Sequence, residues 1–332
     1  MNTTTLSYMP IGGYFSLEGL PEEEGILPYA PACFTQSARA ALAIVLKEKA
    51  VKRIWLPRYI CSVVPVLVKA LGVEIAWYNI SSELQPRTIR QFKGDDWMFC
   101  VNYFGLIDSK PLLERFSTGR IIFDHAQAFF QRPAPTGYTI YSPRKYFGLA
   151  DGGILAGFPP LPEPHARDEQ SVERFEHLLL RANGNIERGY SAFQRDESTL
   201  SDSSAKAMST LSRRMLSCIE YEAAKKKRNE NYAILHRHLG ELNELKPVKD
   251  ITPDGPLCYP FLSPKKIDRA SLAGQGLFVP CYWREVLDDP DIRKTERAMV
   301  SNCLPLPCDH RYGEAQMHKI IQVIYKELHF SS

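Results

Sequence analysis

Two short apolar runs, each ending in polar residues that a core has no use for, constrain this chain more than any other feature. Ile121 to Phe123 leads into Asp124-His125-Ala126-Gln127. Tyr138 to Tyr141 leads into Ser142-Pro143-Arg144-Lys145 and a loop closed by Asp151-Gly152-Gly153. Both runs have the length and the β-branched and aromatic content of buried strands. Each delivers its polar residues at the carboxyl end, where ligands sit in open α/β sheets. One carboxylate, Asp124, and one amine, Lys145, are therefore expected at the same sheet edge, where an ordinary ion pair is the simpler alternative to a functional site. Adjacent residues on a strand point to opposite faces, so His125 is expected to pack in the interior rather than share the site.

The flanking sequence alternates strand and helix signals. Lys52 to Leu56 reads as a strand stopped by Pro57, a helix is expected from Arg58 to about Ala70, and Gly72 to Tyr78 reads as another strand. Trp97 to Tyr103 is a further apolar run, followed by a helical stretch from Pro111 to Ser117. This alternation predicts βαβ units and a parallel sheet. Ser37 precedes a helical stretch from Ala40 to Glu48, where it can cap the helix; the free amides behind it form a ready anion site. Beyond the paired runs come a proline-rich loop at 159–164 and a helical stretch from Asp168 to about Asn183. Gly184 to Tyr190 then carries turn formers without a clear period. Ala205 to Leu239 is the longest helical pattern, and its Lys225-Lys226-Lys227-Arg228 run reads as a solvated face. Leu257 to Phe261 and Leu277 to Trp283 read as strands, and Gly313 to Glu327 as a terminal helix.

Composition limits what such a site can serve. The chain has 332 residues, 44% hydrophobic and 24% charged, which suits an ordinary globular protein of two domains. A net charge of +3 argues against an extended nucleic-acid surface. No apolar run approaches the ~18 residues of a membrane span, and Met1 to Gly12 lacks the features of a signal peptide, so the expected location is the cytoplasm. The eight cysteines show no CxxC pair or zinc spacing, and most sit in apolar context, so they read as free thiols, mostly buried. No metal site is expected.

Asp124-x-Ala126-Gln127, followed by a strand, Ser142-Pro143-Arg144-Lys145 and a glycine-rich loop, resembles the DegT/DnrJ/EryC1/StrS family of fold type I aminotransferases. Pyridoxal 5'-phosphate chemistry needs a lysine for a Schiff base and an acidic residue to keep the pyridine nitrogen protonated. The resemblance gives those roles to Lys145 and Asp124, with Gln127 beside the ring hydroxyl. The family's Ser-Gly-Thr-Ala-Ala-Leu phosphate-binding pattern corresponds to Ser37-Ala38-Arg39-Ala40-Ala41-Leu42. Ala38 and Arg39 depart from it, leaving the backbone amides available, and Arg39 either reaches phosphate or faces solvent. The family's phosphate serine lies five positions before the lysine, where this chain has Ile140; Ser142 and Arg144 are the substitutes. Tyr59 is the candidate for stacking on the pyridine ring, or for ordinary packing. Asn102 stands where the family usually has histidine and either reaches a ligand or serves as a loop amide.

The resemblance implies a three-layer aspartate aminotransferase-like α/β fold with a mostly parallel central sheet and a smaller C-terminal α+β domain. The expected division is an N-terminal segment at 1–30, a large cofactor-binding domain at 31–215, and a linking helix and small domain at 216–332. The implied activity is transfer of an amino group, with glutamate the expected donor, to a nucleotide-linked keto sugar in polysaccharide or antigen biosynthesis. A homodimer with shared sites is implied as well. Tyr190 is the candidate for reaching across to the partner, and Trp283, Arg284 and Arg311 are substrate-side candidates. A deoxysugar dehydratase is the rival on the same scaffold, but such family members replace the lysine with histidine. The other rival is a non-catalytic binding or regulatory protein, suggested by the altered phosphate pattern.

Overall fold

The computed structural model describes residues 17, 19–21, 24–87, 92–115, 119–200 and 205–330. Tyr14 and Phe15, which the resemblance would set beside an active-site entrance and which would equally suit a loop anchored by its aromatics, fall outside the described residues. Seven strands form the main sheet: β1 (Cys33–Thr35), β2 (Arg53–Pro57), β3 (Glu74–Tyr78), β4 (Trp97–Val101), β5 (Ile121–Asp124), β6 (Tyr138–Tyr141) and β7 (Gly153–Gly157). Their order is β1-β7-β6-β5-β4-β2-β3, and only β7 runs against the rest. Helices α1 (Ala38–Glu48), α2 (Val63–Ala70) and α3 (Lys110–Arg115) connect the strands of its first half. The mostly parallel sheet expected from the alternating pattern is present. Its inner strands are buried along nearly their whole length, as all five residues of β4 are, which is why they read as continuous apolar runs rather than alternating ones.

The register aligns the polar strand ends. Asp124 pairs with Val101 on one side and Ile140 on the other, so β4, β5 and β6 finish at one level. Ser37 caps α1 as expected, its side chain accepting from the Ala40 amide at 3.2 Å. The seven residues from Ala40 to Leu46 are buried against β1, β6 and β7. This close docking is what Gly153 allows: a Cβ there would lie 2.2 Å from the carbonyl carbon of Ser37.

After the sheet come α4 (Glu176–Ala182) and α5 (Ile186–Thr199), packed as a pair, then α6 (Thr210–Ser217) and α7 (Tyr221–Leu239). Helices α8 (Lys246–Asp250), α9 (Arg269–Gly274), α10 (Lys294–Asn302) and α11 (Glu314–Phe330) follow. They surround a two-stranded antiparallel sheet of β8 (Tyr259–Leu262) and β9 (Cys303–Leu306). The apolar core runs continuously from the large sheet into this C-terminal portion.

Five expectations from the sequence are corrected. Arg58 to Ser62 is not helical: Arg58 is drawn out to Asp289 and Asp291 at 2.6 and 2.8 Å, and α2 starts only at Val63. The long pattern from Ala205 to Leu239 is two helices, and at the break the Tyr221 hydroxyl bonds back to the Leu216 carbonyl at 2.7 Å. Gly184 to Tyr190 is not irregular, since α5 begins at Ile186 and leans on α4. Leu277 to Trp283 is not a strand, because Pro280 interrupts it and Trp283 adopts a left-handed φ of 56°. Finally, Arg228 does not share a solvated face. It is 1% exposed, and both terminal nitrogens of its guanidinium donate to backbone carbonyls, which offsets much of the cost of burying the charge.

Candidate active site

Asp124 ends β5 with its carboxylate accepting from the Ala126 amide at 2.9 Å. Burial raises its pKa above the ordinary carboxylate range, while the nearby Lys145 charge and the Ala126 amide pull it down. Lys145 lies in the turn that follows β6, the strand next to β5, and its charge acts on the Asp124 carboxylate. Lys145 closes a single 3-10 turn, Pro143–Lys145, whose amide bonds back to the Ser142 carbonyl at 3.0 Å, and it is exposed. The next residue, Tyr146, is buried and ties the two halves together. Its hydroxyl donates to the Gln127 carbonyl at 2.7 Å. Its own carbonyl accepts from Arg228 Nη2 at 3.0 Å, and the Arg228 guanidinium lies 4.6 Å from its ring centre. A second Arg228 nitrogen donates to the Pro256 carbonyl at 2.9 Å, which braces the lysine turn against the C-terminal portion. The sequence gives Tyr146 no signal beyond that of an ordinary aromatic, and it shows Arg228 only as part of a run that reads as a solvated face.

Gln127 is 2% exposed. Its Oε1 accepts from the Phe104 amide at 2.9 Å, whereas its Nε2 is a buried donor without a protein partner. Such a group costs stability unless something accepts from it. Asn102 is a loop amide: Oδ1 accepts from Ile107 N at 3.1 Å and Nδ2 donates to Gln131 Oε1 at 2.5 Å. His125 packs between Phe123 and Tyr141. Burial pushes its pKa down to about 4, so it is neutral at physiological pH.

The other end of the site is built around the start of α1. Gly152 pairs with Ser37 and donates to the Gln36 carbonyl at 2.7 Å, while Gly153 presses on the Ser37 and Ala38 backbone. Ser142 is partly buried at the end of β6. Arg39 lies in the first turn of α1. Burial lowers its pKa, Glu197 raises it, and Arg144 and Cys61 push it in opposite directions. The loop behind these residues is held by Asp151, which is fully buried. It accepts from Ser171 Oγ at 2.6 Å, from Ser209 Oγ at 2.7 Å, from Ser209 N at 2.8 Å and from the Ser212 hydroxyl.

Tyr59 is not brought to this cluster as an open ring. It is 1% exposed, 5.4 Å from Tyr103 and 4.6 Å from Trp283 between ring centres, so its contacts are those of core packing. Tyr190, by contrast, is 61% exposed on α5, with Ile186 and Phe193 also exposed on the same helix. Among the described residues no group of three or more His, Cys, Asp or Glu could hold a metal ion.

No model of a known protein family matches the chain, and no curated protein matches it by sequence. Solved structures do match it. One is a DegT/DnrJ/EryC1/StrS aminotransferase from Brucella abortus, 16% identical, with a TM-score of 0.59 over 89% of this chain and 85% of that one. The fold is that of the sugar aminotransferases. Spr1654 of Streptococcus pneumoniae, described as a sugar aminotransferase and solved in a PLP form, is 12% identical, with a TM-score of 0.60 over 88% of this chain and 85% of that one. DesI, solved in the presence of its TDP-sugar product, is 14% identical, with a TM-score of 0.59 over 88% and 79%. The chain thus keeps the aminotransferase fold over most of its length while its sequence has moved far from these neighbours.

Proposed function

We propose that the chain is a pyridoxal phosphate-dependent aminotransferase that moves an amino group from an amino acid, glutamate by expectation, to a nucleotide-linked keto sugar in polysaccharide or antigen biosynthesis. The observation that carries this reading is the Asp124 carboxyl, partly buried at the end of β5 and acted on by the Lys145 charge, at the strand ends of an aminotransferase fold. Two further observations favour the cofactor. The unpartnered Gln127 Nε2 is a donor in want of an acceptor such as a ring oxygen. The start of α1, with no acidic residue in its first turn, offers free amides to a phosphate.

Pyridoxal phosphate, when bound, supplies an electron sink that lets nitrogen pass between an amine and a carbonyl. Asp124 would hold the protonated ring nitrogen, Gln127 the ring oxygen, and Ser37, Ala38, Arg39 and Ser142 the phosphate. Lys145 Nζ would anchor the cofactor and, once freed by the donor, take the proton from the donor's α-carbon. Arg228 and Tyr146 would keep the Lys145 turn in place. Tyr59 would support the site from behind through Tyr103 and Trp283 rather than stack on the ring.

The reading includes a homodimer whose α5 reaches the partner's site, for which the exposed Ile186, Tyr190 and Phe193 are the support. It also includes a division into a cofactor-binding domain at 31–215 and a linking helix and small domain at 216–332, following the segment at 1–30. No helix among the described residues is long and apolar enough to cross a membrane. All eight cysteines are free, in keeping with a cytoplasmic location. The deciding experiment is a visible spectrum of protein incubated with pyridoxal phosphate, before and after borohydride reduction, with peptide mapping of the modified lysine. Covalent cofactor on Lys145 is expected; protein that takes up none would refute the reading.

A further inference from the structure

Arg39 is placed where helix electrostatics disfavour it. It lies in the first turn of α1, at the positive end of the helix dipole, partly buried and within electrostatic reach of a second guanidinium, Arg144. Arg144 reaches the same spot from the lysine turn. Its aliphatic stem passes 3.7 Å from the position of a Cβ on Gly152, the residue paired with Ser37 at the helix start. Two cations and a helix N-terminus therefore converge on one small volume. Among the described residues one carboxylate answers them, that of Glu197 on α5, which is ion-paired to Arg144 and also acts on Arg39. This answer is incomplete. Arg144 Nε is buried without a partner, and Glu197 is 40% exposed while Arg144 is only 11% exposed.

We infer that Glu197 is an internal stand-in for phosphate: its carboxylate holds Arg144 while the anion site is free, and gives up that position to the phosphate group of an incoming ligand. A phosphate monoester carries close to two charges and three acceptor oxygens, so it can serve both guanidinium groups and the α1 amides together, whereas Glu197 offers one charge from one side. Glu197 keeps the two arginines from repelling in the free protein.

The identity of the phosphate as the cofactor's rests on the functional reading above; the anion site does not. The test is titration calorimetry of wild type and Glu197→Gln with inorganic phosphate, pyridoxal 5'-phosphate and pyridoxal. Removing a competing charge-assisted contact is expected to tighten both phosphate-bearing ligands about tenfold and to leave pyridoxal unchanged. Glu197→Asp, whose shorter side chain reaches Arg144 less well, should fall between the two and serves if Glu197→Gln does not fold. Equal or weaker phosphate affinity in the variants, or an equal gain for pyridoxal, would overturn the inference. Covalent uptake of cofactor with no effect of Glu197 leaves the aminotransferase reading standing and removes this one. Tighter inorganic phosphate without any covalent uptake does the reverse.

Discussion

The clasp around Asp151 gives a prediction whose sign depends on the sequence background. Its carboxylate is fully buried and all four donors reaching it are uncharged: three serine hydroxyls and the Ser209 amide. In Asp151→Ala, the hydroxyls of Ser171 and Ser209, 3.1 Å apart, can turn to each other. The Ser209 amide and the Ser212 hydroxyl are left without their acceptor. At about 1–3 kcal/mol for each orphaned group, partly offset by relief from burying a charge, the expected loss is about 3 kcal/mol. For a chain of 332 residues, at about 2.1 cal/mol/K of unfolding entropy per residue, that lowers the melting temperature by roughly 4 °C. Replacing Ser171, Ser209 and Ser212 together with alanine leaves the carboxylate a single amide donor and should cost more, about 3–5 kcal/mol. Adding Asp151→Ala to that triple variant then removes a buried carboxylate left with one donor and should raise stability. Thermal melts of the four proteins give the cycle. A combined variant that melts below the triple variant would refute the view that Asp151 is held as a charge by these hydroxyls.

Three further predictions concern the site and its assembly. Because burial raises the Asp124 pKa, the stability linked to it is full below about pH 4 and is lost as pH rises through the raised value. Asp124→Asn should therefore stabilise the cofactor-free protein at neutral pH while slowing the first half-reaction by orders of magnitude, and a variant with wild-type single-turnover rates would remove Asp124 from its role. The His125 pKa is pushed down to about 4, so the unfolded chain takes up the proton first as pH falls from about 6.5. Roughly 3 kcal/mol of stability should be lost across that window, and urea unfolding of His125→Phe at both pH limits should show the loss removed. Mixing Lys145→Ala and Tyr190→Ala subunits should restore about a quarter of wild-type activity after exchange, because half the dimers are mixed and each has one intact site. No recovery despite proven exchange would count against a shared site.

What the sequence determined by itself was local. The buried runs at 121–124 and 138–141, the Ser37 cap and the polar strand ends all follow from a few consecutive side chains, so β5, β6, α1, Asp124 and Lys145 were legible one segment at a time. The parallel sheet followed because strands separated by helices have few other ways to bury both faces. Tertiary structure decided whatever depends on partners far along the chain. Arg228 looks like part of a solvated lysine run until Pro256 and Tyr146 supply carbonyls for it. Tyr59 looks like a stacking ring until Trp283 covers it. The Asp151 clasp joins residues up to 61 positions apart, and Arg144 meets Glu197 across 53. Hydrophobic period and capping chemistry reach only a turn or two along the chain, whereas burial of charge is settled by whichever donors and acceptors the folded core brings within hydrogen-bond distance.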